Sequence, residues 1–263
     1  MSDSKPFILL VTGSFAPPPM YDNFVAAVRE RGYEIKVIHS PTVGLGPGVG
    51  RDTPPATMYD DAALIASEIE ALADAGKEVI LVAHSYGGMS ATESTKGLSV
   101  QERQKAGKKG GLIRIAYKTV LLATPGTSAA EVLSSVGTDG RLALEPDEKG
   151  WLHHVDPEFS ARRIFNDSPP DRAIEFQKQF ALHSAVSFTN PLTHPGYKDV
   201  PVSYLVCEED LVITPEIQRK EIEMIEKETG NKVDVTSIKA GHCPTTSVND
   251  QVVDWITKVA QEA

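Results

Sequence analysis

Six short runs of apolar, largely β-branched residues punctuate the chain: FILLVT at 7–12, EIKVIH at 34–39, EVILVA at 78–83, YKTVLLA at 117–123, VSYLVC at 202–207 and VDVTSI at 233–238. Continuous apolar runs, rather than strict alternation, belong to strands covered on both faces, as in parallel sheets. Between them the pattern changes to a helical period, predicting helices over 21–31, 58–75, 85–96, 214–229 and 248–260. In the 58–75 segment Ala62, Ile65, Ala66, Ile69 and Leu72 fall on one face, the spacing of a buried helical stripe. Alternation of strand and helix predicts an α/β fold: a doubly wound, mostly parallel six-stranded sheet with right-handed crossovers.

Two stretches interrupt this rhythm. Residues 40–56 carry GLGPGVG and TPP, the composition of a long irregular loop at the end of a strand. Residues 126–199 hold no convincing core strand. They predict helices at 156–165 and 169–184, with Trp151, Phe159, Phe165, Phe176, Phe180 and Phe188 among them. An aromatic-rich excursion between two sheet strands reads as a helical cap over the carboxyl ends of the strands, where ligands of open α/β sheets bind. The expected organisation is therefore a core of residues 1–125 and 200–263 with an inserted cap or lid at 126–199.

Composition narrows the function. The chain has 263 residues and a formal net charge of -10, which argues against a nucleic-acid surface. KAGKK at 105–109 is the one basic cluster and sits among glycines. Cys207 and Cys243 belong to no ligand-spaced cluster, so no metal, redox site or cofactor is expected. The start of the chain lacks the basic segment of a signal peptide, and no run is long and apolar enough to span a membrane. The expectation is a cytoplasmic protein acting on a small molecule, with neither nucleic acid nor membrane as partner. Its oligomeric state is not readable.

The chemistry starts at EVILVAHSYGGMSA, residues 78–91. Ala83-His84-Ser85-Tyr86-Gly87 matches G-x-S-x-G with Ala for the first Gly. Small residues are needed there because the turn lifts the serine off a strand end against a neighbouring strand and helix. A serine hydroxyl needs a base oriented by a third group, and in this arrangement the acid and then the histidine follow the nucleophile. His242, in the loop after the last strand, is the candidate base. His84 beside Ser85 reads as a packed or hydrogen-bonded residue. Glu208, Glu209 and Asp210 follow the strand at 202–207; Asp210 is the preferred acid and Glu208 the runner-up. Backbone N–H groups of Tyr86 and of Ser14, with Phe15 as an alternative to Ser14, are candidates for an oxyanion site. Phe15, His183, Phe188 and Cys243 are candidate walls of the substrate pocket.

Together FILLVTGSFAPPPMYDNFVAAVRERGYEIKVI, EVILVAHSYGGMSA, PVSYLVCEEDLVITPEIQ and IKAGHCPTTSVNDQVVDWI resemble the α/β-hydrolase superfamily over nearly the whole chain. The similarity is to its small branch of plant-type methylesterases and hydroxynitrile lyases, while the segment GWLHHVDPEFSARRIFNDSPPDRA is closer to microbial hydrolases. The resemblance implies a cofactor-free serine hydrolase with triad Ser85, Asp210 and His242 beneath a helical cap. Two departures matter. Thr12-Gly13 replaces the usual His-Gly, and Cys243 stands where the lyases carry a lysine after the catalytic histidine, which argues against lyase activity. The expected reaction is cleavage of an ester or lactone of a small apolar molecule through an acyl-enzyme. A non-hydrolytic receptor or carrier, or a carbon–carbon bond hydrolase, are the alternatives.

Overall fold

The structure, a computed structural model, describes residues 5–135 and 141–263. Residues 1–4 of the expected core and 136–140 of the expected cap lie outside the described residues. Six parallel strands make the main sheet: β1 (Phe7–Val11), β2 (Ile35–Ile38), β3 (Glu78–His84), β4 (Gly111–Lys118), β8 (Val202–Cys207) and β9 (Asp234–Ile238). Their order is β2-β1-β3-β4-β8-β9, so the winding reverses between β1 and β3. Ile8, Leu9 and Leu10 of β1, and Val79 to Leu81 of β3, are fully buried in succession, because helices cover the sheet on both faces.

Each flanking helix carries a local reason for its limits. Helix α1 (Asp22–Glu30) buries Phe24, Val25 and Val28 and packs on α10 (Asn249–Gln261). Helix α2 (Met58–Asp74) opens with a capping box in which Thr57 accepts from the Asp60 N–H and Asp60 accepts from the Thr57 N–H. Such a cap satisfies donors that the first helical turn leaves free. Helix α3 (Gly87–Glu93) follows β3, and α8 (Pro215–Thr229) stops at Gly230, whose φ of 73° suits a glycine cap.

Two expectations for the core change. The strand expected at 117–123 lies earlier, at Gly111–Lys118. Thr119 takes a φ of 46°, which ends the strand, and the backbone of the apolar VLLA run bonds elsewhere. Leu121 N–H donates to the Ser85 carbonyl (2.9 Å) and Leu122 N–H to Glu221 Oε1 (2.9 Å). The helix expected at 85–96 is shorter, and a capped helix α4 (Val100–Lys105) precedes β4.

The segment between β4 and β8 is not purely helical. It contains α5 (Ala129–Ser135), α6 (Pro157–Ile164) and α7 (Pro170–Gln177), and also β5 (Leu144–Pro146), β6 (Trp151–His154) and β7 (His183–Ser184) in a small antiparallel sheet. The helix expected over 169–184 therefore ends at Gln177. The chain then turns, and Ser184 and His183 pair with Trp151 and Leu152. The 40–56 loop joins this layer, with Gly44 N–H donating to the Leu182 carbonyl and Gly48 N–H to that of Phe180. A short helix α9 (Pro244–Ser247) completes the set.

Candidate active site

Strand register brings five loops to one edge. Val11 pairs with Ala83, His84 with Lys118, Lys118 with Leu205 and Cys207 with Ile238. The segments after β1, β3, β4, β8 and β9 consequently leave the sheet side by side. Ser85 crowns β3 with a φ of 54°, a left-handed conformation that few non-glycine residues hold without strain. The turn is paid for by close packing around it. A Cβ on Gly87 would lie 2.5 Å from the Thr12 carbonyl oxygen, and one on Gly88 2.7 Å from Val120 Cβ. Ala83, the residue that departs from the usual motif, is fully buried within β3.

Ser85, His242 and Asp210 form one hydrogen-bonded chain. Ser85 Oγ lies 2.9 Å from His242 Nε2, and His242 Nδ1 lies 2.8 Å from Asp210 Oδ2. An ionised Asp210 can only accept, which puts the imidazole proton on Nδ1 and leaves Nε2 free to accept from the serine. Asp210 is held in turn: its Oδ1 accepts from the N–H groups of Val212 (2.7 Å) and Ile213 (3.0 Å). It is 1% exposed and His242 4%. Glu208, the runner-up, is turned to Arg219, whose Nη2 lies 2.7 Å from both carboxylate oxygens and holds that carboxyl below its usual range. Glu209 is exposed.

His84 does a different job from its neighbour. Tyr21 OH lies 2.7 Å from His84 Nδ1, and His84 Nε2 lies 2.9 Å from the carbonyl oxygen of His242. A carbonyl only accepts, so Nε2 carries the proton and Nδ1 accepts from Tyr21. Burial, reinforced by Lys118, pushes His84 well below the usual histidine range, which keeps it neutral in this role. Thr119 Oγ1 donates to the same His242 carbonyl (3.1 Å), and Gly13 N–H donates to Tyr21 OH (3.2 Å). Tyr21 and Thr119 carried no signal in the sequence, since neither belongs to a spaced motif.

Ser14 and Tyr86 both line the cavity that opens on Ser85. Among the described residues neither of their N–H groups donates to a protein acceptor, whereas Phe15 N–H is directed at His183 Nδ1 (3.4 Å). Phe15 itself sits at a φ of 63°. The cavity measures about 600 Å³ and includes Phe15, Phe188 and Cys243 in its wall. His183 does not line it. It is fully buried one layer behind, with Nε2 bonded to Ser187 Oγ (3.1 Å) and its ring edge-on to Tyr86; the sequence alone could not separate a wall histidine from one supporting the wall. Burial pushes the Cys243 thiol up, so it stays a protonated wall group. Leu133, Leu142, Leu144, Leu152, Phe165 and Phe180 supply much of the remaining lining from the segment between β4 and β8. Among the described residues no cluster of His, Cys, Asp and Glu could hold a metal ion, and no helix is long and apolar enough to cross a membrane.

A parallel sheet with a strained serine at a strand end, a buried His–Asp pair and an apolar cavity above them defines a hydrolase architecture, and comparison with known proteins agrees. The profile of the "Alpha/beta hydrolase family" matches residues 8–255; the chain belongs to that family and is an α/β-hydrolase. A probable hydrolase, R7, from a Phoma species is 37% identical over 257 residues, covering 98% of this chain and 99% of its own. An alpha/beta hydrolase, nvfD, from Aspergillus novofumigatus is 26% identical, covering 98% of each. Among solved structures, a pyrethroid hydrolase from Sphingobium faniae superposes with a TM-score of 0.72 at 21% identity over 98% of both chains. An Arabidopsis methylesterase, MES16, gives 0.72 at 15% identity over 98% of this chain and 100% of its own.

Proposed function

We propose that this enzyme is a carboxylic-ester hydrolase acting on small to medium apolar esters through an acyl-enzyme on Ser85. The observation that carries this reading is the Ser85–His242–Asp210 chain, with contacts of 2.9 and 2.8 Å, opening on an apolar cavity of about 600 Å³. That size suits a ligand well beyond an acetyl ester. In this reading Ser85 Oγ attacks the ester carbonyl while His242 Nε2 takes its proton. Asp210 fixes the tautomer and stabilises the imidazolium. The N–H groups of Ser14 and Tyr86 meet the developing oxyanion, where preorganised donors matter most. The imidazolium returns its proton to the leaving alcohol, and the neutral His242 then takes a proton from water, which attacks the acyl-enzyme and releases the acid. Residues 126–199 act as the cap, excluding water and selecting the substrate. The similar structures, a pyrethroid hydrolase and a methylesterase, lend support to a hydrolytic, ester-cleaving reading.

The test is a panel of p-nitrophenyl esters of increasing acyl length, run beside labelling with a fluorophosphonate. The reading requires one labelled site, at Ser85, and turnover that rises beyond the acetate. Absence of label at Ser85, together with unchanged turnover in Ser85→Ala, would sink it.

A further inference from the structure

The turn that ends α6 reaches across to both loops that carry the acid and the base. Arg163 Nη2 donates to the Leu211 carbonyl (2.6 Å) and Asn166 Nδ2 to the Glu209 carbonyl (2.9 Å). These two carbonyls flank Asp210 on either side. Asp167 Oδ2 accepts from the N–H of Gly241 (2.6 Å), the residue before His242, and from Ser247 Oγ (2.5 Å), just beyond it. Residue 241 must be small for this contact: a Cβ there would lie 2.3 Å from Asn166 Oδ1 and 2.9 Å from Asp167 Oδ1. The two loops are also tied to each other, with Glu209 N–H donating to the Ala240 carbonyl (3.0 Å).

We propose that Asn166 and Asp167 are positioning residues, which set Asp210 and His242 in register from the segment inserted between β4 and β8. This deepens the proposed ester hydrolysis and rests on it. The physical reason is tolerance. A hydrogen-bonded acid–base pair works only within a fraction of an ångström, and misplacement by about 1 Å can cost about 10²-fold in rate. Loops at strand ends do not hold that tolerance by themselves, because their backbone lacks ladder partners. Here charge-assisted and amide hydrogen bonds from one turn hold the residue on each side of the acid and the residue before the base. The same helix presents Ile164 to the cavity wall, and Phe165, just past its end, does so as well, so the element that meets the substrate also sets the site.

The test uses the full chain and two readouts: the rate of fluorophosphonate labelling at Ser85, and the separate kcat and KM for a p-nitrophenyl ester. Asp167→Ala should slow labelling and lower kcat by about tenfold while KM stays within about twofold. Asp167→Asn, which keeps an acceptor for Gly241 and Ser247, should recover most of that loss. Gly241→Ala, which pushes the turn away, should reproduce the alanine phenotype. Thermal unfolding of each variant separates misplacement from a general loss of fold. Wild-type labelling and kcat in Asp167→Ala overturn the inference, as does an asparagine variant impaired as deeply as the alanine one. If Asp167→Ala does not fold, Asn166→Ala and Ser247→Ala carry the test. Each should slow labelling by about threefold, and normal rates in both overturn the inference. Failure of the parent reading looks different: the unmutated enzyme itself would take no label at Ser85.

Discussion

Around Ser85 the backbone is crowded. Gly13, Gly87 and Gly88 each leave no room for a side chain without displacement, three non-glycine residues adopt positive φ, and His242 is held at ring and carbonyl alike. Across the cavity, Leu142, Leu144, Leu152 and Phe180 form a wall by packing, with apolar atoms that carry no directional bonds. The first region can be changed in few ways without loss of geometry. The second can exchange one apolar shape for another at small cost to the fold, since volume-conserving swaps in apolar regions are tolerated. On the proposed reading the reacting groups belong to the sheet edge, and the insertion, besides its proposed positioning role, shapes the choice of substrate.

Substitutions can test that division, beginning with the largest effect. Ser85→Ala should lower kcat by about 10⁴-fold or more with every ester in the panel, and Asp210→Asn by about 10³-fold, through the wrong His242 tautomer. A smaller and equally substrate-blind effect is expected from Tyr21→Phe. It removes the donor to His84 Nδ1 and should cost about tenfold in kcat with KM held, read by steady-state kinetics. Phe180→Ala, on the other side, should leave the Ser85 labelling rate unchanged. It should shift kcat/KM toward longer acyl chains by about three- to tenfold, the scale that apolar pockets command. An equal effect of Phe180→Ala on all chain lengths would blur the division.

A separate readout lies in stability. Burial raises Glu221 to about 8 and Asp61 to about 7, so the folded state holds protons that the unfolded chain releases. Stability from these groups is full below the ordinary carboxyl range, falls by up to about 1.4 kcal/mol per pH unit for each group as pH rises above it, and is lost once pH passes 7 to 8. Glu221→Gln should flatten urea-unfolding stability between pH 5 and 8.

The two regions also differed in how much the sequence disclosed. The six core strands were readable because burial on both faces leaves a continuous apolar signature, and β1, β2, β3, β8 and β9 lie close to where that signature placed them. The strand β4 was displaced because Arg114 interrupts its apolar run, while Val120 to Ala123 look like a strand and are buried beneath the loops instead. Ser85, His242 and Asp210 could be chosen from the order of loops along the chain, and the structure brings them together. Tyr21, Thr119 and Asp167 could not. Each bonds at least one backbone group, up to 123 residues away, and a bond to a carbonyl or an N–H leaves no residue pattern to find. The insertion yielded its aromatic content but not its small antiparallel sheet, whose strands run only two to four residues.

Ser85 sits at a φ of 54°, a conformation glycine adopts freely and serine only at about 1–3 kcal/mol. If Ser85 is the nucleophile proposed above, selection for turnover is set against selection for thermostability at one codon. A Ser85→Gly enzyme should unfold at a higher temperature than Ser85→Ala, with turnover lost in both. In a descendant freed from its reaction, glycine at this site would be the heat-resistant fossil of a lost nucleophile.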